Sequence, residues 1–156
     1  MLTATKTSSL GHEYILTRDD SELGTLSLRK GRVGARIDFG DAEYRVRRHR
    51  LSGVHELLAP DGTVLAATGR VGRSWALSVS GRDFEFRRTA EADREYTMLG
   101  RGGATAGTVS RNGSAVSCDL PGLTSESQIF VLVVVLLRRR RKRTAAAVRG
   151  GLLSGG

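Results

Sequence analysis

Residues 125–137 read SESQIFVLVVVLL, and the nine from Ile129 to Leu137 are apolar at every position. A surface helix keeps an apolar stripe and a polar face, so a helix that is apolar all round has to be covered all round. From Ser125 to about Ala147 there is neither Gly nor Pro, and Ser125-Glu126-Ser127-Gln128 has capping-box spacing, with Ser at the N-cap and Gln three residues on. These signals predict a helix over 125–147. The β-branched residues also suit a buried strand, but the cap and the alanine-rich continuation favour the helix. Nine residues at 1.5 Å each cover about 13.5 Å, against the ~30 Å hydrocarbon core of a bilayer. A cover supplied by the protein itself is therefore favoured over a transmembrane anchor.

The residues upstream can supply that cover. From about residue 12 to residue 120, short runs with apolar residues at alternate positions are separated by turn residues, which is the period-two signal of antiparallel strands. Tyr44 and Val46 alternate with Glu43, Arg45 and Arg47; Trp75, Leu77 and Val79 alternate with Ala76 and Ser78; Phe84 and Phe86 alternate with acids and Arg. Val33, Ala35, Ile37 and Phe39 make a further stripe, as do Leu26 with Leu28 and Tyr96 with Met98. Gly40-Asp41, Asp61-Gly62, Gly81-Arg82 and Asn112-Gly113 sit between such runs and tolerate positive φ, so consecutive strands pair as hairpins. About eleven strands are expected, more than a single open twisted sheet usually holds. The economical packing is a mainly β protein: a closed antiparallel barrel of about 11–12 strands whose inner stripes enclose the one hydrophobic helix near the C-terminus. Residues 1–11 are expected to be a flexible N-terminus, 12–147 the barrel with its helix, and 148–156 a flexible tail.

Composition agrees with one soluble domain. The chain has 156 residues, 39% of them hydrophobic and 26% charged, which places it among ordinary globular chains. Its 20 Gly against 2 Pro favour tight turns between short elements. The net charge of +9 is concentrated: Arg138, Arg139, Arg140, Arg141, Lys142, Arg143 and Arg149 supply seven of 25 basic residues, and no acid follows Glu126. Without those seven the balance is 18 basic against 16 acidic, so the excess charge describes one segment and argues against a nucleic-acid binder basic over its whole surface. Met1 to Leu10 reads MLTATKTSSL, without the 7–15-residue apolar core of a secretory signal, and a cytoplasmic location is expected.

Catalytic and metal signatures fail on inspection. His55-Glu56-Leu57-Leu58-Ala59 begins like a zinc-protease motif, but Ala59 stands where the second imidazole is required. Gly102 to Thr108 has glycines at phosphate-loop spacing, yet Thr108 follows Gly107 directly where a Lys is needed. There is no GxSxG elbow, and Asp19-Asp20 reads as a loop pair. The single cysteine, Cys118, lies in a strand pattern and fits a packing role. Asn112-Gly113-Ser114 matches a glycosylation sequon and is explained by its Asn-Gly turn. No catalytic residue, cofactor or metal ligand is assigned, and a non-enzymatic role is expected.

The order of short strands followed by a near-C-terminal hydrophobic helix, with the stretches His55 to Ala66, Ser74 to Leu77, Gly81 to Phe86 and Ser127 to Val133, resembles the tubby C-terminal-like superfamily. The nearest relatives would be the LURP-one-related proteins and phospholipid scramblases. The resemblance covers roughly residues 12 to 147 and implies a barrel of about twelve strands around a central helix. It also implies phosphoinositide or membrane association for some members and no assigned activity for most. The chain lacks an acidic cluster like the calcium loop of scramblases, which argues against scramblase activity.

Two basic clusters are the candidate anion- or lipid-binding residues: Arg45, Arg47, Arg48 and Arg50 on a strand and its following loop, and Arg138, Arg139, Arg140, Arg141, Lys142 and Arg143 after the helix core. Six consecutive cations repel one another and gain about 1 kcal/mol each beside an anionic membrane surface. The expected partner is such a surface, bound peripherally. The alternative is a structural or protein-interaction module whose basic segment only keeps the barrel mouth wet. Nucleic acid ranks third, because aromatic residues are only 5% of the chain and none lies in the basic run.

Overall fold

The computed structural model describes residues 1–8, 11–31, 33–89 and 94–154, with side chains as far as Arg140 except that of Arg94. The first strands are β1 (Leu2–Lys6), β2 (Glu13–Arg18), β3 (Ser21–Leu28), β4 (Val33–Phe39), β5 (Ala42–Arg48) and β6 (His55–Leu58). There follow β7 (Val64–Thr68), β8 (Ser74–Val79), β9 (Arg82–Arg88), β10 (Arg94–Leu99), β11 (Thr105–Asn112) and β12 (Ala115–Asp119). Each pairs antiparallel with its neighbours in sequence, and β1 pairs with β12 to close a twelve-stranded barrel. The helix α1 (Ser125–Ser154) follows β12.

The closing strand lies within the stretch expected to be a flexible N-terminus. Leu2 and Ala4 are fully buried, opposite Cys118 and Val116 of β12, while Thr3 between them is half-buried and Thr5 is exposed. The sequence LTATK holds only two small or medium apolar residues, too weak an alternation to stand out without its partners. The tail also differs from expectation: the backbone stays helical through Ser154, and only residues 155–156 of the expected 148–156 tail lie outside the described residues.

Twelve strands suit the helix dimensionally. At ~4.8 Å spacing and ~40° tilt they form a backbone cylinder about 24 Å across, and a helix of ~10–12 Å inside leaves roughly 6 Å on each side, the depth of one side-chain layer. That layer consists of the inward stripes: Leu16, Leu26, Ile37, Val46, Leu57, Leu77, Phe86, Met98, Val109 and Val116 are buried against Ile129–Leu137 in one continuous core. No residue from Ile129 to Leu137 exceeds 4% exposure. Trp75 stacks on Phe86 with centroids 4.4 Å apart and meets the edge of Tyr96, whose hydroxyl donates to the Gly72 carbonyl. At Gly34 β4 comes close to the helix: an added Cβ would stand 3.0 Å from Leu137 Cδ1.

The helix start is one residue earlier than the capping box implies. Thr124 is the cap, its Oγ1 accepting from the Ser127 backbone N–H at 3.3 Å, while the Gln128 side-chain Nε2 donates to the Leu123 carbonyl. Threonine serves here because the chain turns at Pro121-Gly122 and only its hydroxyl is placed over the third helical N–H.

Since every strand reverses direction, the connections alternate between the two ends of the barrel. Those after β2, β4, β6, β8, β10 and β12 lie where the helix enters; those after β1, β3, β5, β7, β9 and β11 lie where it leaves. Among described residues of the exit-end loops the charged groups are Arg29, Lys30, Arg50, Arg70 and Arg73, with no carboxylate. The entry-end loops hold Asp19, Asp20, Asp41 and Asp61 against Arg101. Asp19 and Asp20 both take positive φ, 49° and 68°, which makes the pair a hairpin turn.

Candidate functional site

The exit mouth is the candidate site, and the helix puts its basic run there. Among the residues with described side chains Leu137 is the last buried apolar one, and the next three arginines emerge among the strand ends. Arg138 lies 5.7 Å from the centre of the Tyr96 ring. Burial, with Arg88 and Arg73 nearby, pulls the Arg138 pKa down, while Glu95 opposes that shift. Arg139 approaches Glu95 at 3.6 Å, and Arg111 of β11 approaches the same carboxylate at 3.9 Å. One acid thus stands among three cations, and their excess positive charge remains at the mouth.

Beside the emerging helix lies a cavity of about 380 Å³ walled by Lys6, His12, Lys30, Ser114, Arg139 and Arg140. Its apolar floor is made by Tyr14, Leu28 and Leu136. Among the described residues, no carboxylate lines it. The donors come from β1, the β1–β2 loop, the β3–β4 loop, the β11–β12 turn and α1, so only closure of the barrel assembles them. Ammonium, guanidinium and hydroxyl groups converging over an apolar floor match a phosphate or carboxylate carried on an organic group.

The strand cluster of the sequence divides in two. Arg45 and Arg47 lie on the outer wall with carboxylate partners: Arg45 Nε to Glu43 at 3.3 Å, and Arg47 to Glu56 through Nε and Nη2 at 3.1 and 2.9 Å. Arg36 shares Glu43 from β4, and His49 shares Glu56. The hydrogen bond from His49, with the Arg47 guanidinium, holds the Glu56 carboxyl below the usual carboxylate range, against the opposing effect of burial. Arg48 shares the inward register of Val46 and reaches the exit rim, where a broad groove of about 830 Å³ is lined by Arg48, Arg50 and Gly31 and, from the wall side, by Arg47 and His49. Of the expected helix cluster, Arg138, Arg139 and Arg140 reach the mouth; the side chains of Arg141, Lys142 and Arg143 lie outside the described residues.

Lys6, His12, Lys30, Arg88 and Arg111 had no local signal marking them as site residues. Each lies in an ordinary strand or turn, and its place at the mouth follows from the alternation of hairpin ends. The zinc-like stretch resolves geometrically: His55 is buried on the inner face of β6 and Glu56 faces outward, so the two cannot converge on one ion. Among the described residues no three His, Cys, Asp or Glu gather as a metal site, and no helix is long and apolar enough to cross a membrane. Cys118 is buried, and its thiol pKa is pushed up to about 12, chiefly by burial.

Comparison with protein-family models, with curated proteins and with solved structures finds no match to this chain.

Proposed function

We propose that the chain is a non-enzymatic, tubby-like domain of the LURP-one-related kind that binds anionic groups at the helix-exit mouth, with the headgroups of an anionic membrane surface as its ligand class and a cytoplasmic, peripheral location. The supporting observation is the cavity where Lys6, Lys30, Arg139 and Arg140 converge over an apolar floor, with no carboxylate among the described lining residues. The twelve-stranded barrel around a buried helix is the architecture that the family resemblance implies. Several cations kept close together repel one another, and an arriving anion relieves that repulsion.

The competing role, a structural module whose arginines only solubilise the mouth, draws support from the ion pairs that already occupy Arg36, Arg45, Arg47 and Arg139. Sedimentation with phosphatidylcholine vesicles, with and without phosphatidylserine, alongside calorimetric titration with inorganic pyrophosphate, separates the two. Anion binding predicts association with phosphatidylserine vesicles or pyrophosphate that weakens steeply with salt. Absence of both favours the structural module.

A further inference from the structure

Leu51 is fully exposed, at 104% of its reference area, and stands at the apex of the β5–β6 loop beside Arg50. The loop holds it there by design of its backbone. The His49 N–H donates to the Val54 carbonyl at 2.9 Å, the Gly53 N–H donates to the His49 carbonyl at 2.9 Å, and Gly53 takes φ of +71°. The neighbouring β7–β8 loop braces it through the Val71 N–H and the Gly53 carbonyl at 3.4 Å. A second exposed apolar residue, Val33, begins β4 at the same end, paired with Arg47 across the strands. The β3–β4 loop next to it carries Arg29 and Lys30.

We infer that the rim of the helix-exit end that carries the β5–β6 loop docks against an anionic bilayer, to one side of the emerging helix, with Leu51 inserted at the boundary between headgroups and acyl chains and Arg50, Arg29 and Lys30 on the phosphates around it. The inference rests on the proposed anion-binding role and adds its orientation and anchor. An apolar tip ringed by cations fits an interface that is anionic at its surface and oily a few ångströms below. Nucleic acid would use the cations and leave Leu51 in water. A second copy docked through the same face would set two basic ends together. The outer wall is unsuited to hydrocarbon, since Arg36, Asp38, Arg45 and Glu85 are exposed along the strands, so contact through an end is favoured over contact through a side.

The test compares wild type, Leu51→Ser, Leu51→Trp and Val64→Ser, the last at an exposed apolar position of the entry end, on phosphatidylcholine vesicles with and without phosphatidylserine. All sites are on the surface, and thermal unfolding checks that each variant is folded. Leu51→Ser is expected to bind phosphatidylserine vesicles roughly 10- to 100-fold more weakly, the transfer value of one leucine side chain. Val64→Ser should bind as wild type does. Leu51→Trp should keep its binding and shift its emission to the blue on contact with vesicles, measured against wild type carrying Trp75 alone.

Equal vesicle binding by wild type and Leu51→Ser overturns the anchor while leaving the anion-binding role in place. So does wild type that binds pyrophosphate and ignores vesicles. Preference for a single-stranded RNA over vesicles, or an equal loss in Val64→Ser, also overturns it. Binding to neither vesicles nor pyrophosphate removes both proposals.

Discussion

The two mouths of the barrel are built by one device, six chain connections each, and the described residues of those connections carry opposite charge at the two ends. At the entry end the turns are tight and acidic: Asp19-Asp20, Gly40-Asp41 and Asp61-Gly62, with the Thr63 N–H holding the Asp61 carboxyl below the usual range. At the exit end the loops are longer, the described charges are cationic, and three arginines arrive on the helix. Turn chemistry accounts for the acids, because Asp and Gly tolerate the backbone that a two-residue hairpin needs. No such need explains Arg29, Lys30, Arg50, Arg70 and Arg73. The difference teaches that the acidic end is explained by folding alone, whereas the basic end holds charges that folding does not require, which is where a ligand is to be sought.

The contrast depends first on the helix, which delivers the arginines to one end only. Val133, fully buried within the barrel, is the position at which to break it. Val133→Asp places an unpaired carboxylate in the core at a cost of several kcal/mol, comparable with the ~5–15 kcal/mol stability of a whole domain. The expected outcome is loss of the cooperative thermal transition, and a normal transition would show that the helix core is not packed as described.

A smaller effect sharpens the comparison between mouth and wall. Lys6→Ala with Lys30→Ala removes two cations of the mouth cavity and should weaken binding to phosphatidylserine vesicles by about 2 kcal/mol, roughly 30-fold. Arg36→Ala with Arg45→Ala removes the same formal charge from the wall, where Glu43 already partners both. There the loss should be about threefold or less at physiological salt. Equal losses would mean that total charge, not the mouth, governs binding.

The smallest effect concerns the wall alone. Because the Glu56 carboxyl is held below its ordinary range by His49 and Arg47, its ionised form stabilises the folded state at neutral pH. That contribution is present above the ordinary carboxylate pKa and is lost as pH falls through the lowered folded value. Glu56→Gln should therefore cost about 0.5–1 kcal/mol at pH 7 by denaturant unfolding, with the gap to wild type closing in acid. A gap that widens in acid would contradict this assignment.

Much of the architecture was legible in the residues. Eleven strands were readable because alternation is strong wherever an inner stripe contains Leu, Ile, Trp or Phe, and the helix because a capping-box start and an alanine-rich continuation free of Gly and Pro frame the nine apolar residues. β1 was not, since Leu2 and Ala4 acquire meaning only against Val116 and Cys118, more than a hundred residues away. The same reason hid most of the mouth. Arg138 to Arg140 form a run that any reader of the chain sees, whereas Lys6, His12, Lys30 and Ser114 are scattered singly and meet only when the barrel closes. Arg45 and Arg47 show the converse: adjacent cations in sequence drew attention, yet each is matched by a carboxylate on the next strand or its own.

The polarity of the barrel is tested most directly by labelling its two ends. The native Cys118 is buried with its thiol pKa near 12, so at neutral pH it stays protonated and unreactive, and an introduced cysteine takes the label selectively. Ser52→Cys marks the exit end and Thr63→Cys the entry end, both exposed turn residues. With a polarity-sensitive fluorophore on each and phosphatidylserine vesicles added, the account predicts a blue shift and quenching by lipid-borne quenchers at residue 52, and an unchanged spectrum at residue 63. Responses of equal size at both positions, or a response at residue 63 alone, would contradict it.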